Sequence, residues 1–166
     1  MKFELKEIKQ LTGKRCKIYS VQMEGDENTL FEQFLAKNET KFPDEVQDIF
    51  DNITIIGRRA GATDAYFRPK KEGKLGDGVE ALFDFPRANL RLYAIRYGTV
   101  LLVLGGGGHK SKTIRAFQED PKLIKENYLL RQIAATLYEA IRDKDLRWNR
   151  QGDNFEGQMF FDSDDY

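Results

Sequence analysis

Arg91, Tyr93, Ile95 and Tyr97 alternate with Leu90, Leu92, Ala94 and Arg96, so a strand here puts an arginine and two tyrosines on one face. Guanidinium grips phosphate in a two-pronged fork, and a phenol can stack on a base or carry a proton. Such a face does chemistry where it lies open; under a helix, Tyr93 and Ile95 are core and Arg91 is marginal. Downstream runs Gly105-Gly106-Gly107-Gly108-His109-Lys110-Ser111-Lys112. A nucleotide-binding phosphate loop needs glycine immediately before Lys-Ser and another five positions earlier. Those places hold His109 and Leu104, so a nucleoside-triphosphatase is set aside. A glycine run after a strand can still bring backbone amides to an anion, or serve as a plain exit loop. His109 is the single histidine, titrating near neutrality, and could act as acid or base or be a solvated loop residue. Cys16 has only Arg15 and Lys17 beside it, which suits a buried thiol better than a nucleophile.

Several elements must position these groups. Phe3 and Leu5 alternate with charges as in a half-buried strand, and residues 17–23 make a second. A short helix starts at a cap on Asp26 or Asn28 and runs to about Lys37. A second starts at Pro43 and runs to about Ile56, with Gly57 ending it. A strand near Ala65, Tyr66 and Phe67 leads to a basic loop carrying Lys70, Lys71 and Lys74. Strands follow at 79–85, 90–97 and 100–104, joined at Gly98-Thr99 by a tight turn. Gly105 to Gly108 then leave the sheet. Asp120-Pro121 starts a long helix to about Arg142, with Leu123, Leu130, Ile133, Ala134, Leu137 and Ile141 as its apolar stripe. Residues 155–161 form a short edge strand or an apolar patch. Strands and helices are segregated, which argues for an α+β fold.

The 166 residues suit one domain, with extensions at 1–15 and about 143–166. One cysteine and one histidine exclude a disulfide framework and a Cys/His zinc cluster. No apolar run reaches the roughly 20 residues of a membrane span, and the charged start is no secretory signal, so a cytoplasmic protein is expected. Twenty-seven Lys and Arg balance twenty-seven Asp and Glu. The balance hides blocks: nine acids against two bases over 24–52, twelve bases against five acids over 58–115, and five acids without a base over 153–166. One basic face able to meet an anion is one reading; ordinary solvated charge is the other. The acidic tail has apolar anchors in Phe155, Met159, Phe160 and Phe161. It either packs where its carboxylates weaken the basic face or forms an edge strand whose acids aid solubility.

Leu90-Arg91-Leu92-Tyr93-Ala94-Ile95-Arg96, a hairpin, Val100 to Leu104, then glycine and lysine, resemble the core of RelE/HigB-like toxins of type II toxin–antitoxin systems. Lys74-Leu75-Gly76-Asp77-Gly78-Val79-Glu80-Ala81-Leu82 resembles that family's segment before the arginine strand, and two helices precede the meander as in the family. The resemblance spans about 17–141 in element order, with its motifs in 74–112. It implies a RelE-like α+β fold: a small antiparallel sheet, two N-terminal helices on one face, and here a long C-terminal helix. It implies an mRNA interferase, an endoribonuclease with no metal or other cofactor. In that chemistry the ribose 2′-hydroxyl attacks the adjacent phosphate at the ribosome. Partners would be mRNA, the ribosome and a cognate antitoxin, in the helix-turn-helix style, with no membrane.

By position the resemblance assigns catalysis to Arg91, Lys110, His109 and Tyr93, and RNA binding to Lys70, Lys71, Lys74, Arg96 and Lys112. The alternatives are a non-nucleolytic module like the ParE-type relatives, which bind DNA gyrase, and an interaction protein with a basic face.

Overall fold

The computed structural model describes residues 1–68, 78–82, 87–110 and 120–163. Lys70, Lys71, Lys74 and Lys112 therefore lie outside the described residues, as do Asp164 and Asp165 of the tail.

The chain runs β1 (Lys2–Glu7), β2 (Lys17–Met23), α1 (Leu30–Asn38), α2 (Pro43–Ile55), β3 (Val79–Leu82), β4 (Leu90–Tyr97), β5 (Leu101–His109), α3 (Pro121–Arg142), β6 (Leu146–Trp148), β7 (Phe155–Gly157) and β8 (Phe160–Asp162). Six strands make one sheet in the order β3-β4-β5-β2-β1-β8, and β6 pairs with β7 as a separate hairpin. Every neighbouring pair in the large sheet is antiparallel except β2 and β5, which run parallel with Lys17 beside Leu101. The fold is α+β, with a mostly antiparallel sheet and three α-helices among the described residues. The sheet is wider than the small one expected, and α1 and α2 follow β1 and β2 rather than opening the chain.

Period-two alternation splits the core into two layers. Ile18, Leu90, Leu92, Ala94, Leu102 and Leu104 pack with Phe31 and Phe34 of α1 and Val46, Ile49 and Ile53 of α2. Val21, Tyr93, Ile95, Leu101 and Val103 pack with Leu123, Leu130, Ile133 and Leu137 of α3. Central strands covered on both faces read as continuous apolar runs, as 100–104 does. Buried Ser20 joins three elements: its hydroxyl donates to Leu104 O at 2.7 Å and accepts from Phe31 N at 3.2 Å. The cap of α1 is Thr29, not Asp26 or Asn28. Its Oγ1 accepts from Glu32 N at 3.2 Å and Glu32 Oε1 accepts from Thr29 N at 3.0 Å. α2 starts at Pro43 as expected and continues through a π-helical turn, Ile56–Ala60. A 3-10 turn, Asp64–Tyr66, stands where a strand was expected, with Phe67 bridging to Leu82.

Residues near both ends of the chain take part in the sheet. β1 lies inside the sheet, and β8 pairs with it through Phe3 and Phe161, whose rings stack at 5.2 Å. Phe155 of β7 sits 4.7 Å from Trp148 and 5.2 Å from Tyr97, and Tyr19 Oη donates to Asn154 Oδ1 at 2.6 Å. Burial pushes the Tyr19 phenol up to about 12, and raises that of Tyr97 further.

The described part of the tail thus packs on the body, with Phe155 against Tyr97 at the end of β4. Asp162 lies 3.9 Å from Lys2, and Asp153 Oδ1 accepts from Asn149 Nδ2. β8 is four strands from β4, roughly 19 Å at 4.8 Å per strand. That exceeds the screening length of about 10 Å at 0.1 M salt, so Asp162 does not dampen charge on β4.

Candidate functional site

β4 carries Leu90, Leu92 and Ala94 toward α1 and α2. Alternation sends Arg91, Tyr93 and Ile95 toward α3. Arg91 is 7% exposed and Tyr93 3%, so of the two alternatives for this face it is the covered one that holds. The reason is α3, which lies across it.

The glycines explain how α3 comes so near. Gly105 to Gly108 do not leave the sheet; they are the second half of β5. Leu92 pairs with Gly107 and Ala94 with Leu104, so Gly105 and Gly106 bulge opposite Tyr93. A Cβ on Gly105 would meet Leu130 Cδ2 at 2.8 Å, one on Gly106 would meet the Glu126 carboxylate, and one on Gly108 would meet Lys122 Cε at 3.0 Å. Lys122, Glu126 and Leu130 are a single i, i+4, i+8 row, and that row lies directly on bare strand backbone. Asp120 caps the helix, its Oδ1 accepting from Lys122 N at 3.1 Å.

Arg91, the register partner of Gly108, and Tyr93, opposite Gly105 and Gly106, therefore lie beneath the row carrying Lys122 and Glu126. Oε2 of Glu126 is buried and has no hydrogen-bond partner among the described residues. Beside it, buried Asn127 accepts at Oδ1 from Arg131 Nε at 2.8 Å. A carboxylate, two cations and a phenol thus lie along the glycine half of β5. The sequence reading missed Glu126 and Asn127. A signal was present: Leu123, Asn127, Leu130, Ala134 and Leu137 share the inward face of α3, and a polar residue in that row marks buried polar contact.

The remaining expected residues separate. His109 ends β5 on the opposite side of the sheet, exposed, with its ring 5.1 Å from Phe42. It stands by a cleft of about 630 Å³ lined by Phe42, Asp44, Glu45, Asp48 and Arg87. At that cleft Glu45 holds the start of β4, accepting from Leu90 N at 2.9 Å and from Asn89 N at 3.2 Å. The strand's period of two puts His109 away from Arg91. Lys110, one residue past β5, is half-buried, and its amide donates to Asn89 O at 2.8 Å. Arg96 is at the other end of β4, about 16 Å along the strand from Arg91. It pairs with Asp64 at 2.7 Å and Glu80 at 3.7 Å, and its guanidinium stacks on Phe67 at 4.6 Å. Those contacts hold the β3–β4 corner. Among the described residues no three His, Cys, Asp or Glu side chains are grouped to hold a metal ion, and no helix is long and apolar enough to cross a membrane.

Cys16 is buried against Ile18 and Ala62 in the α1–α2 layer, and burial pushes its thiol up to about 12. A thiol-specific reagent at pH 8 is expected to leave native Cys16 unmodified and to label it once guanidinium unfolds the chain. Rapid stoichiometric labelling of the native protein would contradict this burial.

Compared with family models, curated proteins and solved structures, the chain matches none.

Proposed function

We propose that the chain is the toxin of a type II toxin–antitoxin pair and acts as a metal-free mRNA interferase. The observation that carries the reading is the grouping of Arg91 and Tyr93 on β4 with Lys122 and Glu126, whose Oε2 is buried, over the glycine half of β5. It joins the residue pattern of 74–112 to a set of groups suited to phosphate transfer.

In this reaction the ribose 2′-oxygen attacks the adjacent phosphorus and the bond from phosphorus to the 5′-oxygen breaks. A 2′,3′-cyclic phosphate and a free 5′-hydroxyl result. The 2′ proton passes to Glu126, Arg91 and Lys122 stabilise the phosphorane, and Tyr93 protonates the leaving oxygen. Exposed Lys122 stands over Gly108, the register partner of Arg91, and so marks the side from which a phosphate approaches. RNA contact is assigned to Lys70, Lys71, Lys74 and Lys112 by the resemblance alone. Arg96 is withdrawn from that role by its ion pairs.

One observation favours a second reading. At 7% exposure Arg91 could serve the fold alone. The chain would then be a binding module that acts on a protein such as DNA gyrase. Expressing the chain from a tight promoter separates a toxin from a harmless interaction protein: growth is expected to stop, and co-expression of the neighbouring gene to restore it. Undisturbed growth at high expression would refute both toxin readings.

A further inference from the structure

A second cluster of cations lies away from the β4–α3 site. Residues 8–17 carry Lys9, Lys14, Arg15 and Lys17 and no acid, and residues 52–63 carry Arg58 and Arg59 and no acid. Two glycines bring these segments together. A Cβ on Gly13 would strike Gly57 O, and one on Gly57 would strike Leu11 O, so the loop between β1 and β2 lies backbone to backbone on the end of α2. Gly57 O accepts from Arg15 N at 2.9 Å and from Cys16 N at 3.1 Å. The π-helical turn Ile56–Ala60 then sets Arg58 and Arg59 beside Lys14 and Arg15.

Lys9, Lys14, Arg15, Arg58 and Arg59 are exposed, and none has an ion-pair or hydrogen-bond partner for its side chain among the described residues. Lys17 is half-buried, its Nζ donating to Gly13 O at 3.1 Å. Arginines at a helix end answer the helix dipole, but the loop cations stand on no helix. Lys17 pairs with Leu101 and Arg91 with Gly108, so the cluster is seven residues along β5 from Arg91, roughly 23 Å. That exceeds the screening length of about 10 Å at 0.1 M salt, so the two ends meet a ligand separately.

We propose that this end of the sheet is a sequence-independent nucleic-acid surface that takes the phosphate backbone of a double-stranded stem. Three arginine forks and two free ammonium groups match closely spaced phosphates. Residues 8–17 and 56–61 hold no Phe, Tyr or Trp. Protein partners are anchored by aromatic and apolar groups, and single strands by bases stacked on rings; the cluster offers no ring to either. The proposal goes beyond the interferase reading, since holding a stem needs no cleavage.

Titration of the full chain with a fluorescent RNA stem of about 16 base pairs, every ribose 2′-O-methylated, tests it. The probe cannot be cleaved, so the result stands apart from the interferase reading. A Kd of about 1–100 µM near 0.1 M salt is expected, rising steeply with salt. Arg58→Gln with Arg59→Gln should weaken binding at least about tenfold and flatten the slope of log K against log salt by about 2, near 0.9 per lost phosphate contact. Lys14→Gln with Arg15→Gln should do the same. Lys37→Gln, at an exposed cation of α1 outside the cluster, should change neither. Circular dichroism of each variant checks folding, and these exposed positions leave the core intact. A stem left unbound at about 50 mM salt would overturn the proposal. So would double variants equal to the wild type in affinity and slope. Tighter binding of a polyglutamate peptide, lost in the same variants, would overturn it in favour of a protein partner. A loss confined to a single-stranded probe would overturn the preference for a duplex.

Discussion

Arg91→Ala is expected to lower RNA cleavage by about 10²–10³, the usual cost of removing one charge-assisted donor at a transition state. Arg91 is the cation of β4 on the α3 side, opposite Gly108 and beneath the helical row that carries Lys122 and Glu126. Burial complicates the experiment, since truncating a 7% exposed side chain also loosens packing. Arg91→Lys separates the two effects. It keeps a positive charge on a long stem but loses the planar fork that matches phosphate oxygens. Cleavage should fall steeply in both variants, with a smaller loss of melting temperature for lysine than for alanine. Cleavage at the wild-type rate by a folded Arg91→Ala protein would remove Arg91 from the site. A variant that loses stability but still stops growth would favour the binding-module reading.

The second large effect is on the fold. Gly107→Ala places a Cβ on the Arg91 carbonyl, with Arg91 C at 2.9 Å and Leu92 Cα at 3.0 Å behind it. All three are backbone atoms of the paired strand, so β4 and β5 must separate for the methyl to fit. A loss of about 3 kcal/mol or more is expected, or roughly 6–12 °C in melting temperature for a chain of this size. Gly105→Ala meets only the end of the Leu130 side chain, which can turn aside, and should cost clearly less. Thermal denaturation of the two variants checks the ranking. Equal melting temperatures for Gly107→Ala and the wild type would contradict the close packing of β4 on β5.

Local pattern made some elements legible before any coordinates. α3 begins at Pro121 after the Asp120 cap and ends at Arg142, because cap, proline and apolar stripe all speak for the same helix. β4 was legible from alternation, and α2 from Pro43 with acids in its first turn. What escaped depends on contacts distant in sequence. Four glycines carry no strand propensity, and they stay in β5 because Leu90, Arg91 and Leu92 pair with it and α3 lies on it. Alternation put Arg91 and Tyr93 on one face, but the helix that covers them begins some thirty residues later. The parallel pairing of β2 with β5 and the return of β8 to β1 are long-range events of the same kind. Of the candidate site, Arg91 and Tyr93 were legible, whereas Glu126 was hidden in a helix read only for its apolar stripe. His109 was misplaced with Arg91 because a loop has no fixed face, whereas the strand that actually carries it has one.

The most direct test of the proposed interferase is the mapping of RNA 5′ ends after a short induction, with the wild type and Arg91→Lys expressed side by side. The wild type is predicted to produce new 5′-hydroxyl ends within translated messages, matched by 2′,3′-cyclic phosphates on the upstream fragments. Arg91→Lys should produce few or none at equal protein level. Intact messages in cells whose growth the wild type has stopped, or equal cleavage by both proteins, would contradict the account.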